Sequence, residues 1–269
     1  MTKKVYFKNN LGRRIVGLLS LPNGGSTPFP AVIICHGFKG YKEQAHLKTL
    51  ASALASSGIA VLRFDFGNGV GQSYGKLEDI KFSQYLGDLK SAIDYVAKQK
   101  YIDQNKLGLA GHSLGGQLIL TYAPRDKRIK ALADLAGVSY RGWGNTNLEK
   151  GVVKQLPEAK KTGYFYVFSK RTGKKYRIKI GYYYDIMKYD TPAQIKKIKV
   201  PTLIIHGSKD QSVPLSHSRL AFRTLKSPKK LVIVPDAPHT WRGTADPGGK
   251  FQKQINPIVV DWFKKYLPR

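Results

Sequence analysis

Six short apolar runs, at residues 31–35, 59–64, 106–110, 129–137, 200–205 and 231–234, limit what this 269-residue chain can fold into. A continuous apolar run of strand length marks a strand covered on both faces, since a solvated face would show alternating polar residues. Helical patterns lie between the runs. Residues 44–57 put Leu47, Leu50, Ala51, Leu54 and Ala55 on one face and stop at Gly58. Residues 81–99 do the same with Phe82, Tyr85, Leu86, Leu89, Ile93 and Val96. Further helical patterns fall at 117–122, 215–225 and 251–266. This alternation predicts an α/β fold, a mostly parallel sheet with helices on both faces. Ahead of it, residues 4–8 and 15–21 read as a hairpin joined by Asn9-Asn10-Leu11-Gly12.

The alternation breaks once. Residues 139–191 are rich in Lys, Gly and Tyr and contain no long apolar run. Within them, 164–168 and 176–180 alternate like strands, with a turn at 171–174. The expected organisation is a core of residues 1–138 and 192–269, interrupted by an inserted lid with its own β-hairpin.

Hydrophobic residues at 42% and charged residues at 23% allow a packed core and argue against global disorder. One cysteine, Cys35, excludes an intramolecular disulfide framework and fits a reducing compartment. The first eight residues lack the apolar core of a signal peptide, and no stretch approaches the roughly 20 apolar residues of a membrane span. A soluble, cytoplasmic protein is expected. The net charge of +29 is distributed as +10, +11 and +8 over residues 1–140, 141–200 and 201–269. Such a spread differs from a basic arm or reading helix, so no specific nucleic acid is expected as partner, only weak attraction to polyanions. The oligomeric state is left open.

The chemistry centres on Gly111-His112-Ser113-Leu114-Gly115, which lies between an apolar run and a helical one. Strand, sharp turn and helix is the setting that makes a G-x-S-x-G serine a nucleophile. Serine needs a base, and the base an orienting acid. Of six histidines, His112 adjoins the elbow and reads as packing, His36 and His206 close strands, and His46 sits on the first helix near its surface. His217 follows Asp210 too closely to reach back. His239, after the run 231–234, is left as the base, on a loop at a strand's C-terminal end. Asp210, after the run 200–205, is the acid. Asp134 is its rival, but it lies inside a run rather than after one. Asp65 reads as structural, and the glycine-rich stretch 66–75 as a connecting loop without P-loop spacing. Backbone amides of Phe38 and Leu114 are positioned in sequence to form an oxyanion hole.

Taken together, His36-Gly37-Phe38, Arg63-Phe64-Asp65-Phe66, Gly111 to Gly116, His206-Gly207-Ser208-Lys209-Asp210 and His239 resemble the α/β-hydrolase superfamily. Within it the chain is similar to small carboxylesterases of the feruloyl (cinnamoyl) esterase type. The resemblance implies an eight-stranded sheet, a Ser-His-Asp triad without metal or organic cofactor, and a lid inserted after the sixth strand. It departs from its relatives in the loop 66–73, where a shorter R-G-x-G-x-S type is common.

The expected reaction is hydrolysis of a small-molecule carboxylic ester through an acyl-enzyme. Aromatic residues of the insertion, Trp143, Tyr164 and Tyr183 foremost, are expected to touch substrate. Two rivals stand beside this. One is a serine peptidase or acyl-peptide hydrolase on the same core, enzymes that usually carry an extra domain. The other is a non-enzymatic, polyanion-binding member of the fold.

Overall fold

In the computed structural model, residues 1–169, 172–241 and 249–268 are described. The chain opens with an antiparallel hairpin, β1 (Thr2–Lys8) and β2 (Arg14–Ser20). It continues through β3 (Phe29–Cys35), α1 (Ala45–Ser56), β4 (Ala60–Asp65), α2 (Phe82–Ala97), β5 (Ile102–His112), α3 (Leu114–Tyr122) and β6 (Ile129–Leu135). After β6 come α4 (Asn147–Thr162), β7 (Tyr164–Ser169), β8 (Lys174–Lys179), α5 (Gly181–Ile186) and α6 (Thr191–Ile195). The chain then runs through β9 (Thr202–Gly207), α7 (Ser216–Thr224), β10 (Lys229–Val234) and α8 (Lys250–Tyr266).

Eight strands form one sheet in the order β1-β2-β4-β3-β5-β6-β9-β10. The six from β4 to β10 run parallel, and β2 is antiparallel to both its neighbours, β1 and β4. Strand alternation explains why both faces carry helices. Ala31, Ile33 and Cys35 of β3 join the core on the α2 and α3 side, while Val32 and Ile34 join the core beneath α1 and α8. Burial of Val32, Ile33 and Ile34 contributes about 1.5–3 kcal/mol each. Cys35 is wholly buried, and burial pushes its thiol far above the ordinary range. Among the described residues no helix is long and apolar enough to cross a membrane.

The strand order reverses direction at β3. Its following strand β4 lies on one side and β5 on the other, which opens a crevice beyond the carboxyl ends of β3 and β5. Loop 36–40 and the 111–115 elbow both emerge there.

Loop 66–75 does more than connect. Asp65 is fully buried and accepts from the Lys42 amide at 2.7 Å, from Lys42 Nζ at 2.8 Å and from the Gln72 amide at 2.8 Å. The Lys42 side chain is only 2% exposed, so this is a buried ion pair around which the loop closes.

Between β6 and β9, β7 and β8 pair as a separate two-stranded antiparallel sheet. Arg171, in the expected turn, lies outside the described residues. Helix α4 has no counterpart in the sequence reading. Its signal is a variant of the capping box: Thr146 Oγ1 accepts from the Glu149 amide at 3.2 Å, and the Glu149 carboxylate accepts from the amide of Asn145, one residue ahead of the N-cap. Gly163, at φ 80°, closes it. With only Val152 and Ala159 buried, α4 lacks the broad apolar stripe that marks an amphipathic helix in sequence.

Replacing one member of a buried pair leaves the other charge uncompensated. Asp65→Ala is expected to lower unfolding free energy by about 3–5 kcal/mol in urea titration, against well under 1 kcal/mol for an exposed pair such as Lys90–Asp94.

Candidate active site

Ser113 joins β5 to α3 with φ 58° and ψ −119°, a conformation that L-residues rarely adopt. Crossing elements hold it there. A side chain at Gly111 would stand 2.2 Å from the Gly115 carbonyl oxygen, and one at Gly115 would stand 2.3 Å from that of Cys35. Only glycine lets β5, α3 and β3 come this close. The Ser113 amide donates to the Leu135 carbonyl at 3.0 Å, which ties the elbow to β6 as well.

The structure brings Ser113, His239 and Asp210 together. His239 Nε2 lies 3.0 Å from Ser113 Oγ, and His239 Nδ1 lies 2.6 Å from Asp210 Oδ2. With Nδ1 donating to the carboxylate, Nε2 is left as the acceptor for the serine hydroxyl. Asp210 Oδ1 accepts from the amides of Ser212 at 2.7 Å and Val213 at 2.9 Å. His206 Nε2 donates to the Val213 carbonyl at 3.0 Å and stands 3.3 Å from Asp210 Oδ2. Burial alone would raise the Asp210 pKa. The hydrogen bonds from His206 and His239 outweigh it and hold the carboxyl well below its ordinary range.

Asp134 has a different setting. It lies fully buried on β6, opposite Gly111 on β5, and burial pushes its carboxyl up to about 7. Neither of its carboxylate oxygens has a hydrogen-bond partner among the described residues, so no histidine is bonded to it.

Two histidines differ from expectation. His46 is buried, not near the surface, and its ring packs edge-on against His112 at 4.6 Å. His112 does not merely pack. Its Nε2 donates to the His239 carbonyl at 2.7 Å, so the residue before Ser113 holds the backbone of the loop carrying His239. Burial, then the nearby His46 and His239, depress the His112 pKa strongly, so it stays neutral and keeps one donor. Neither contact was visible in sequence, because each joins segments far apart in the chain.

Gly37 abuts Ser113: a side chain there would stand 3.0 Å from Ser113 Cβ. The next amide is that of Phe38. Leu114 opens α3, so its amide is one of the helix N-terminal donors that lack an intrahelical acceptor. The Phe38 ring stacks on Tyr182 at 5.8 Å, and Tyr182 meets Trp143 at 5.2 Å, itself 6.1 Å from Tyr183. Trp143 is buried within this aromatic group. Tyr182, another aromatic residue of the insertion, is its link to loop 36–40. Tyr164 stands elsewhere. Alternation along β7 turns Phe165 and Val167 inward and Tyr164 outward, where the Arg177 guanidinium lies 4.4 Å over its ring. Its placement does not match a substrate wall. Among the described residues, no group of three or more His, Cys, Asp or Glu could hold a metal ion.

The sheet, the crossover at β3 and the strand–turn–helix elbow define an α/β-hydrolase fold. The prolyl oligopeptidase family profile matches residues 45–268, and the chain belongs to that family. An uncharacterized 31.7 kDa protein of the traX-finO intergenic region of Escherichia coli is 25% identical over 274 residues, covering 90% of this chain and 93% of its own. Acylamino-acid-releasing enzyme 1 of Oryza sativa subsp. japonica is 25% identical, across 89% of this chain but 30% of its own length. Est1E from Butyrivibrio proteoclasticus, solved with ferulic acid bound, superposes with a TM-score of 0.78 at 24% identity, covering 98% of this chain and all of Est1E. The chain is a serine hydrolase of the α/β-hydrolase fold.

His217 gives this region a measurable pH response. It is buried, its Nδ1 accepts from the Ser139 amide at 3.1 Å, and burial lowers its pKa to about 4. An unfolded histidine, near 6.5, binds the proton between these values while the folded one does not. The stabilisation is therefore complete above about pH 6.5 and declines as pH falls toward 4. On going from pH 7 to 5, His217→Asn is expected to lose about 2 kcal/mol less stability than the parent, read from urea unfolding at both pH values.

Proposed function

We propose that this protein hydrolyses carboxylic esters through an acyl-enzyme. The observation that carries the reading is the continuous line from Asp210 through His239 to Ser113, at 2.6 and 3.0 Å. In this reading Ser113 Oγ attacks the ester carbonyl while His239 Nε2 takes its proton. The oxyanion accepts hydrogen bonds from the Phe38 and Leu114 amides. His239 returns the proton to the leaving alcohol, and a water then repeats the sequence on the acyl group. Asp210 holds His239 in the required tautomer and stabilises the imidazolium. We assign residues 139–191 as a lid over a core of 1–138 and 192–269. The aromatic group of Trp143, Tyr182 and Tyr183, adjoining Phe38, supports an apolar acyl or aryl moiety as the bound part of the substrate.

Cleavage of acylated peptides is the second reading, favoured by the likeness to a plant acylamino-acid-releasing enzyme. Steady-state assays with p-nitrophenyl esters of rising chain length, methyl ferulate and an N-acetylaminoacyl anilide separate the two. Ester turnover is expected to exceed anilide turnover, and Ser113→Ala to lower kcat on the best ester by about 10⁴-fold or more. A faster anilide would install the peptidase reading, and an unchanged Ser113→Ala rate would remove both. Asp210→Asn is expected to reduce kcat by about 10⁴-fold with KM little changed, because the amide favours the wrong histidine tautomer.

A further inference from the structure

The outer face of the β7–β8 hairpin has no use in the reaction. Register pairs Tyr164 with Lys179, Tyr166 with Arg177 and Phe168 with Lys175, and residues directly opposite share a face. Three aromatic and three cationic side chains are thus interleaved on one surface, while Phe165, Val167 and Ile178 fill the inner face. The outer rings are open to solvent, Tyr166 at 44% and Phe168 at 59%. Of the eight large apolar side chains most exposed among the described residues, four lie between positions 153 and 184, a concentration that solvent alone does not favour. The same region has the densest charge, 15 Lys and Arg against 4 Asp and Glu over residues 141–200.

We propose that this hairpin face docks the protein on an anionic lipid surface. Aromatic rings with polar edges settle at the headgroup level of a bilayer, and Lys or Arg beside them reach the lipid phosphates while their stems cover the rings. The hairpin has this arrangement, with Arg177 4.4 Å above Tyr164 and Lys175 4.5 Å above Tyr166. Arg177 and Lys179 also meet Glu78 and Asp79, but both pairs are exposed, and such pairs contribute little against a competing phosphate. Two other kinds of partner fit less well. At the β7 edge, a peptide adding as a strand would meet Gln155, which already bonds both backbone groups of Tyr166, at 2.9 and 3.0 Å. Single-stranded nucleic acid needs bare ring faces for stacking, and here cations lie over two of the three rings. The face also adjoins the active site: Lys39, next to Phe38, donates from Nζ to the Phe168 carbonyl at 2.7 Å. A docked molecule would hold its entrance loop close to the lipid.

Sedimentation with vesicles tests this without reference to catalysis. The full chain is expected to bind vesicles of equal parts phosphatidylcholine and phosphatidylglycerol at low salt and to leave pure phosphatidylcholine vesicles in solution. The Tyr166→Ser/Phe168→Ser double variant is expected to bind the mixed vesicles about tenfold or more weakly, and Lys175→Glu about fivefold or more weakly. Circular dichroism melting and turnover of soluble p-nitrophenyl acetate, where the parent has it, should match the parent in both variants. Three results would overturn the proposal. They are failure of the parent to bind mixed vesicles, unchanged binding by both well-folded variants (which would leave only bulk positive charge), and tighter binding of a single-stranded oligonucleotide than of mixed vesicles. An inactive parent that still binds as described would remove the esterase reading and leave the docking face standing.

Discussion

The backbone of Ser113 is the constraint on which the rest of the site depends. A non-glycine residue at φ 58° and ψ −119° is strained by about 1–3 kcal/mol, and it persists because its surroundings leave no alternative. Gly111 and Gly115 lie so close to neighbouring backbone that β3, β5 and α3 act as one clamp. The strand order supplies the space above that clamp. Because β4 and β5 leave β3 on opposite sides, loop 36–40 and the elbow rise into the same crevice.

A second layer of buried polar contacts holds the groups that meet Ser113. Asp210 accepts from two backbone amides and from His239 and has His206 beside it, an environment that suits only an ionised carboxylate. His112 holds the carbonyl of His239 from the other side. Asp65 and Lys42 perform a related task farther off, gathering loop 66–75 around one buried pair. These contacts tie strand ends and loops to one another, and together they limit how far Ser113, His239 and loop 36–40 can drift apart.

Much of this was legible because it follows from local pattern. Buried parallel strands read as continuous apolar runs, and amphipathic helices as stripes. Strand limits shifted mainly at polar ends, as in β5, which begins at Ile102 with Asp103, Gln104 and Asn105 before its apolar stretch. Helix α4 is not legible as a stripe because its local signal lies in a cap, Thr146 and Glu149, and its buried face is thin. The hairpin strands were visible by alternation, yet alternation alone did not say which set of side chains faced inward. Phe165 and Val167 did, and Tyr164 was thereby turned away from the site.

What the sequence by itself determined is the class of architecture and the cast of chemical groups. Periodicity of two or 3.6 and the glycines of a tight elbow are properties of neighbouring residues. Tertiary structure alone decided which groups meet. His46 packing edge-on against His112, His112 bonding to a carbonyl 127 residues away and Tyr182 linking Phe38 to Trp143 depend on how the sheet crosses over itself. The same is true of the outer hairpin face, where aromatic and basic residues became one surface only when β7 and β8 fell into register. Local patterns specify elements, whereas contacts between distant elements are settled by packing all of them at once.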